Sequence, residues 1–411
     1  MNLLFAFSAH FIRDGTDVYS EWHFGAAIWQ RYLAHFDHVV VAGLQGKVPN
    51  WKKASELELA SRDGVSFELF SRLSSARGLL VDRYRQRPRM SQLVQNADAV
   101  IARLPSEVGF LAIDCAQRIG KPWAVEMVAC PWDGLWHYGT VAGKLYAPLA
   151  WLRTRQAVRN APYALYVTER FLQGRYPCPN GTVGSASNVS LPKASALVLE
   201  RRLKRIEDGT NRPLRLGLIG SLRTRAKGLH IAMEAIANIR KRVPPFTFHI
   251  LGGGDKQPWE GLAEQHGIAD LVHLEGTLHS GEPVLRWLDE IDIYLQPSLQ
   301  EGLPRALIEA MSRGCPALGS RKAGIPELLF DDDLAPPGDA YGLATLLQRR
   351  LGDQEWMVER ARHNWEAALR FQAEALDEQR ARFWRSFATS LKILRDAELP
   401  PSQRSSPQAN I

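Results

Sequence analysis

The rhythm of the second half of the chain limits its fold most. Short apolar runs at 214–219, 246–251, 271–274, 291–296 and 316–319 alternate with segments of helical periodicity, and each run ends in a turn. Runs this short and apolar on both faces fit strands of a parallel sheet, whose crossover helices must cover both sides. The first half repeats the pattern at 2–7, 38–42, 65–69, 97–103, 123–128 and 163–167. A chain of 411 residues exceeds one ordinary core, at roughly 150 residues per domain. The reading is α/β, with two doubly wound domains. The stretch 188–213, where SLPKAS leads into LERRLKRIEDGTNRP, reads as the linker, with the division between 195 and 196. From about 339 the pattern is helical, and 396–411 has the composition of a flexible tail.

Composition removes several classes. Hydrophobic residues make up 45% and charged residues 23%, as in a soluble globular protein. No apolar run is long enough to span a bilayer, and MNLLFAFSAHFIRDG lacks the basic start and cleavage site of a signal peptide, so a cytoplasmic location is expected. Cys115, Cys130, Cys178 and Cys315 show no C-x-x-C spacing, and reduced thiols are expected. The net charge of +7 fits an anionic partner. Arg77, Arg83, Arg85, Arg87 and Arg89 crowd one segment. Another mixes Leu145, Tyr146, Leu149, Trp151 and Leu152 with Lys144, Arg153, Arg155 and Arg159. That mixture suits an anionic membrane surface, or equally a buried helix with a solvated basic edge. No nucleic-acid motif accompanies either segment, and no nucleic acid is expected as a partner.

Ligands of open α/β sheets gather beyond the carboxyl ends of strands, so the loops there carry the functional reading. After the strand at 214–219, Gly220 leads into a loop with Arg223, Arg225 and Lys227, and a helix starts near Gly228. Glycine, helix N-terminus and full positive charge suit a phosphate, although a solvated basic loop has the same composition. Gly252, Gly253 and Gly254 form either a simple turn or room for a ligand. In EGLPRALIEAMSRG, Pro304 reads as the first helical residue, Ala306, Leu307, Ala310 and Met311 as the buried stripe, and Gly314 as the stop. Glu309 has Arg305 and Arg313 four residues away on either side, the spacing of helix ion pairs; Glu301 alone reads as an exposed carboxylate at a helix N-terminus. Together they suit a nucleotide sugar, because a carboxylate accepts hydrogen bonds from the vicinal hydroxyls of ribose. Glu309 would stand near the cleft floor and hold the ribose. Glu301 would stand nearer the mouth, with the N–H groups around Gly302 and Leu303 facing the anion.

These motifs resemble the retaining GT-B glycosyltransferases of family 4. The resemblance rests on EGLPRALIEAMSRGCPALGS, GSLRTRAKG, the LGGG turn and KAGIPELL, in that order. VEMVACPWDGLWHYG and APYALYVTERFLQGRYP look like a bacterial branch that builds surface polysaccharides. The resemblance implies an acceptor-side Rossmann-like domain at 1–195, a nucleotide-sugar domain at 196–371, and helices near 372–395 crossing back to the first domain. It implies transfer of a hexosyl group from a UDP- or GDP-linked sugar to an oligosaccharide or lipid-linked acceptor, by a peripheral enzyme at the inner face of the membrane. The nucleotide sugar is a co-substrate, and neither cofactor nor metal is implied. Carried over by position, Lys227 binds the diphosphate, Glu301 the sugar or phosphate end, and Glu309 the ribose. Gly15 approaches the phosphate from the other domain, Thr277 and Leu278 lie near the base, and Gly220, Gly252, Gly253, Gly302 and Leu303 line the donor. Ser221 stands where the family often has arginine, with Arg223 or Arg225 as substitutes. Ala129 and Cys130 stand where many members carry histidine or aspartate. Asp133 and His137 are the nearest replacements, and Asp133 joins Glu301 and Lys227 as an expected catalytic residue. A nucleotide-sugar 2-epimerase shares this fold, and a non-catalytic nucleotide- or partner-binding member is the remaining reading.

Overall fold

The structure, a computed structural model, describes residues 1–20, 24–47, 57–71, 73, 82–137, 140–189, 191–209 and 212–398. Arg77 and the tail from 399 onward lie outside the described residues. The N-terminal sheet holds β1 (Asn2–Asp14), β2 (Asp17–Ser20), β3 (His38–Gln45), β4 (Glu58–Leu59), β5 (Val65–Phe70), β6 (Ala99–Leu104), β7 (Trp123–Met127), β8 (Tyr163–Tyr166) and β9 (Thr182–Ser185). Its parallel ladder runs β5-β3-β1-β6-β7-β8-β9, while β2 pairs antiparallel with β1 and with β4. The C-terminal sheet holds β10 (Leu214–Ile219), β11 (Phe246–Leu251), β12 (Val272–Gly276), β13 (Ile293–Gln296), β14 (Ala317–Ser320) and β15 (Leu334–Ala335). It is wholly parallel, in the order β12-β11-β10-β13-β14-β15. Both sheets therefore reverse their winding beside their first strand, and a crevice opens at such a reversal.

Helices α1 (Gln30–Leu33), α2 (Arg83–Asn96), α3 (Glu107–Ile119), α4 (Pro131–His137), α5 (Val141–Arg159) and α6 (Phe171–Arg175) belong to the first unit. Helices α7 (Ala196–Asp208), α8 (Leu229–Ile239), α9 (Gln257–Gln265), α10 (Glu282–Asp289), α11 (Arg305–Ser312), α12 (Ala340–Arg350) and α13 (Gln354–Ala368) belong to the second. Helix α3 shows how local sequence sets the ends: Ser106 accepts from the Gly109 N–H at 2.9 Å, and Gly120 closes the helix at φ +79°. Helix α14 (Ala373–Glu398) returns to the first unit, where Phe383, Trp384 and Phe387 are buried with Phe5, Trp29 and Tyr32. Aromatic residues each bury about 150–250 Å².

Three expectations fail locally. Strand β1 does not stop at Phe7; after a register shift between Ala6 and His10 it continues to Asp14 and folds into a hairpin with β2. The stretch 188–213 is no free linker, because α7 fills much of it. Arg202 donates to the carbonyls of Arg313 at 3.0 Å and Leu288 at 2.8 Å, and Arg205 and Arg212 both donate to the buried Asp292. The charge that made the segment look solvated fastens it to the second unit. Residues 396–398, read as tail, complete α14. All four cysteines are buried and unpaired. Among the described residues, no helix is long and apolar enough to cross a membrane.

Candidate functional site

Strands β10 and β13 flank the reversal in the C-terminal sheet, and the loops leaving them are locked together. Ala226 O accepts from the N–H groups of Leu299 at 2.8 Å and Gln300 at 3.3 Å. A Cβ on Gly228 would stand 1.9 Å from the Pro297 carbonyl oxygen, and its φ of +72° already disfavours a side chain. A Cβ on Gly252 would stand 1.8 Å from the Gly220 carbonyl oxygen. No larger residue fits either contact.

This packing delivers Lys227 to Glu301, with Nζ 2.5 Å from Oε1. The same oxygen accepts from Gln296 Nε2 at 2.9 Å and Ser298 Oγ at 2.8 Å. Gln296 accepts from the buried Tyr294 hydroxyl at 3.1 Å, and Tyr294 accepts from the Ile219 N–H at 3.3 Å. Burial holds that phenol well above its usual pKa, so it remains a neutral donor. Glu301 is 9% exposed, and the surface carboxylate considered from sequence is excluded. The chain of hydrogen bonds fixes one carboxylate oxygen and leaves the other without a hydrogen bond among the described residues.

Glu309 is different. It is half-buried, and its carboxylate makes no hydrogen bond or ion pair among the described residues. Arg313, one expected helix partner, forks onto Asp289 at 2.7 Å through both Nε and Nη2. Burial raises the Glu309 carboxyl pKa against the lowering pull of Arg305. Glu301 is thus buried and hydrogen-bonded, whereas Glu309 is half-buried with its carboxylate unpartnered. Pro304 is the N-cap of α11 and Arg305 its first residue. The N–H groups of Gly302 and Leu303 make no hydrogen bonds among the described residues, while the Gly302 carbonyl accepts from Gly324 N at 2.9 Å.

Other predicted residues gather around this pair. Ser221 Oγ accepts from the Arg223 N–H at 3.2 Å, and Arg223 and Arg225 are exposed with no ion-pair partner among the described residues. A Cβ on Gly253 would lie 2.9 Å from Thr277 Cγ2, which places Thr277 and the 45% exposed Leu278 beside the glycine turn. Gly15 makes no such contact. It is the positive-φ turn of the β1–β2 hairpin, with nothing within 4 Å of where its Cβ would be. The glycine at the start of the first helical segment is Gly25, which caps the short 3-10 turn Ala26–Trp29. With Arg103, Asn188, Arg305 and Arg380 it lines a cleft of about 660 Å³ between the two units.

Facing loops of the N-terminal unit touch the site directly. Asp133 is 3% exposed, and its Oδ1 accepts from Lys322 Nζ across the cleft at 3.0 Å. Its Oδ2 is buried without a partner, and Arg175 stands 4.0 Å from Oδ1. Cys130 is buried and hydrogen-bonded to Tyr176 at 3.1 Å, so it is closed to a ligand. His137 ends α4, and its side chain lies outside the described set. A Cβ on Gly302 would stand 2.7 Å from Val128 O of the opposite unit. Glu327 reaches across and accepts from three backbone N–H groups, of Glu169 at 2.7 Å, Arg170 at 3.1 Å and Phe171 at 2.6 Å. These are unsatisfied donors at the start of α6, where a carboxylate is favoured. Sequence reasoning gave Lys322 and Glu327 no role, although both lie in KAGIPELL. Only the fold shows that they face another domain.

Comparison with known proteins agrees with this geometry. Residues 213–353 match the family model described as "Glycosyl transferases group 1". Protein CapJ of Staphylococcus aureus is 28% identical over 349 residues, covering 85% of this chain and 86% of that protein. The amylovoran biosynthesis glycosyltransferase AmsK of Erwinia amylovora is 39% identical over 155 residues, 35% of this chain and 38% of its own. Among solved structures, HepE of Anabaena in complex with UDP superposes with a TM-score of 0.64 at 17% identity, covering 94% of this chain and 100% of that one. Residues 213–353 are thus similar to the group 1 glycosyltransferases, and the chain as a whole has the GT-B fold of two facing Rossmann-like units.

Proposed function

We propose that the protein transfers a hexosyl group from a nucleoside diphosphate sugar to a sugar hydroxyl of a lipid-linked oligosaccharide, with retention at the anomeric carbon, in bacterial surface-polysaccharide synthesis. The observation that carries this reading is Glu309: a half-buried, unpartnered carboxylate on the helix that follows the fixed Lys227–Glu301 pair, at the winding reversal of the sheet. Ribose hydroxyls supply the hydrogen-bond donors that Glu309 lacks. Lys227 and the free N–H groups of Gly302 and Leu303 stabilise negative charge on the departing diphosphate, the term that usually contributes most to such a step. The bond from the anomeric carbon to the diphosphate oxygen breaks. The acceptor oxygen bonds to the same face of that carbon, and the departing phosphate takes the acceptor proton. Asp133, held by Lys322, borders the acceptor side.

AmsK is named for amylovoran biosynthesis, and HepE was solved with UDP; both support the assigned substrate classes. The test is incubation with UDP-, GDP- and ADP-linked sugars, with and without glycan acceptors, followed by NMR of the product's anomeric proton. Transfer with retained configuration is expected. An inverted product, a donor epimerised without acceptor, or nucleotide binding with neither transfer nor hydrolysis would each replace the reading.

A further inference from the structure

Helix α5 is amphipathic in an unusual sense. Its buried face is Ala147, Ala150, Thr154, Ala157 and Val158, whereas its large aliphatic residues point outward. Val141 is 75% exposed, Leu145 77%, Leu149 51% and Leu152 55%. At 3.6 residues per turn these four fall on one stripe, opposite the buried face. The buried-helix reading of this segment is thereby excluded.

Charge and aromatic residues frame the stripe. Helix α5 contains four basic residues and no Asp or Glu: VAGKLYAPLAWLRTRQAVR. Lys144 and Arg155 fall along one edge, Lys144 over the ring of Trp136 at 5.8 Å and Arg155 over Trp151 at 5.2 Å. Trp136 is 42% exposed and stacks on Trp132 at 5.5 Å. Glu107 joins neighbouring elements at this place, accepting from Tyr146 at 2.6 Å and pairing with Arg153 at 3.0 Å and with Arg83 of α2 at 3.5 Å. Helix α2 also lacks acidic residues and adds the exposed Tyr84 and Arg85. Arg83 and Arg89 are spent on Asp114 and Glu68. Among the described residues, Lys144, Arg155, Arg159 and Arg85 are the cations of the face with no ion-pair partner.

We propose that α5, with the adjoining Trp132–Trp136 pair and the start of α2, lies on an anionic lipid bilayer. The leucine stripe enters the acyl boundary, the indoles sit at headgroup depth, and the flanking cations meet lipid phosphates. A second copy of the chain fits this face poorly, because self-pairing would oppose Lys144 and Arg155 to like charges. Asp133 and Trp136 are three residues apart on α4, so the face adjoins the cleft. The inference stands on this surface and does not require the transfer reading.

Flotation of the full chain with phosphatidylcholine vesicles, with and without phosphatidylglycerol, tests it. The protein is expected to float with the anionic vesicles in low salt and to be released as salt rises. Leu145→Asp with Leu149→Asp should lower partitioning about tenfold or more. Lys144→Gln with Arg155→Gln should remove the preference for phosphatidylglycerol. These side chains are exposed, so circular dichroism and the thermal midpoint should match the parent protein. A parent protein that stays unbound, or a double-aspartate variant that floats equally well, overturns the proposal. So does a dimer that the aspartate pair dissociates without any vesicle binding, which would assign the face to a second copy.

Discussion

The two walls of the cleft are held by different forces. On the C-terminal wall, backbone meets backbone: Ala226 O holds the loop after β13, and Gly228 and Gly252 pack where no Cβ fits. On the N-terminal wall, contact with the opposite unit runs largely through side-chain charge, Asp133 to Lys322 and Glu327 to the N–H groups of 169–171. The first arrangement has one geometry. The second can separate and re-form, since water replaces such partners at modest cost. A cleft built this way holds its C-terminal wall rigid and lets the other wall move.

Replacing Lys227 breaks the rigid wall most severely. Lys227→Ala is expected to lower kcat about 10²–10³-fold, the loss typical of one charge-stabilising group, in a steady-state transfer assay. Glu309→Gln comes next. It should weaken nucleotide binding by about 10–100-fold, equivalent to about 1.5–3 kcal/mol for a hydrogen bond to a charged group, measured by calorimetry. The unliganded protein should become more stable at neutral pH. Because the folded carboxyl pKa is raised, ionisation of Glu309 costs stability as pH rises from the usual carboxylate range through the folded value, and the variant lacks that loss. Thermal melts across that range read the difference.

Glu327→Gln tests the movable wall. It weakens a cap shared by three N–H groups, so a loss of roughly 0.5–2 kcal/mol is expected, with KM for the sugar nucleotide rising more than kcat falls. Gly15→Ala should have the smallest effect. Its positive φ costs about 1–2 kcal/mol in thermal stability, while nucleotide affinity stays unchanged. A loss of affinity would return Gly15 to the cleft.

Strands β10 and β11 could be read to the residue, because both faces are buried and glycine ends each run. The pairing of Lys227 with Glu301 could not. It depends on two loops 74 residues apart in sequence meeting at the winding reversal. Individually each residue looked like surface charge. The burial of Glu301 was hidden for the same reason, since it comes from Gln296, Ser298 and the opposite domain. Alternation failed at β1 because Phe11 to Asp14 pair with β2 and not with β6. In α5, alanines that pack inward left the leucines outside, a choice that periodicity alone does not reveal.

The central claim is that Glu309 holds the ribose while Lys227 holds the diphosphate. Calorimetric titration of UDP and uridine, with GDP and guanosine beside them, tests it on the parent protein, Lys227→Ala and Glu309→Gln. The account predicts that Lys227→Ala loses the advantage of diphosphate over nucleoside, and that Glu309→Gln weakens both. A Glu309→Gln variant that binds nucleoside and nucleotide as tightly as the parent protein would contradict it.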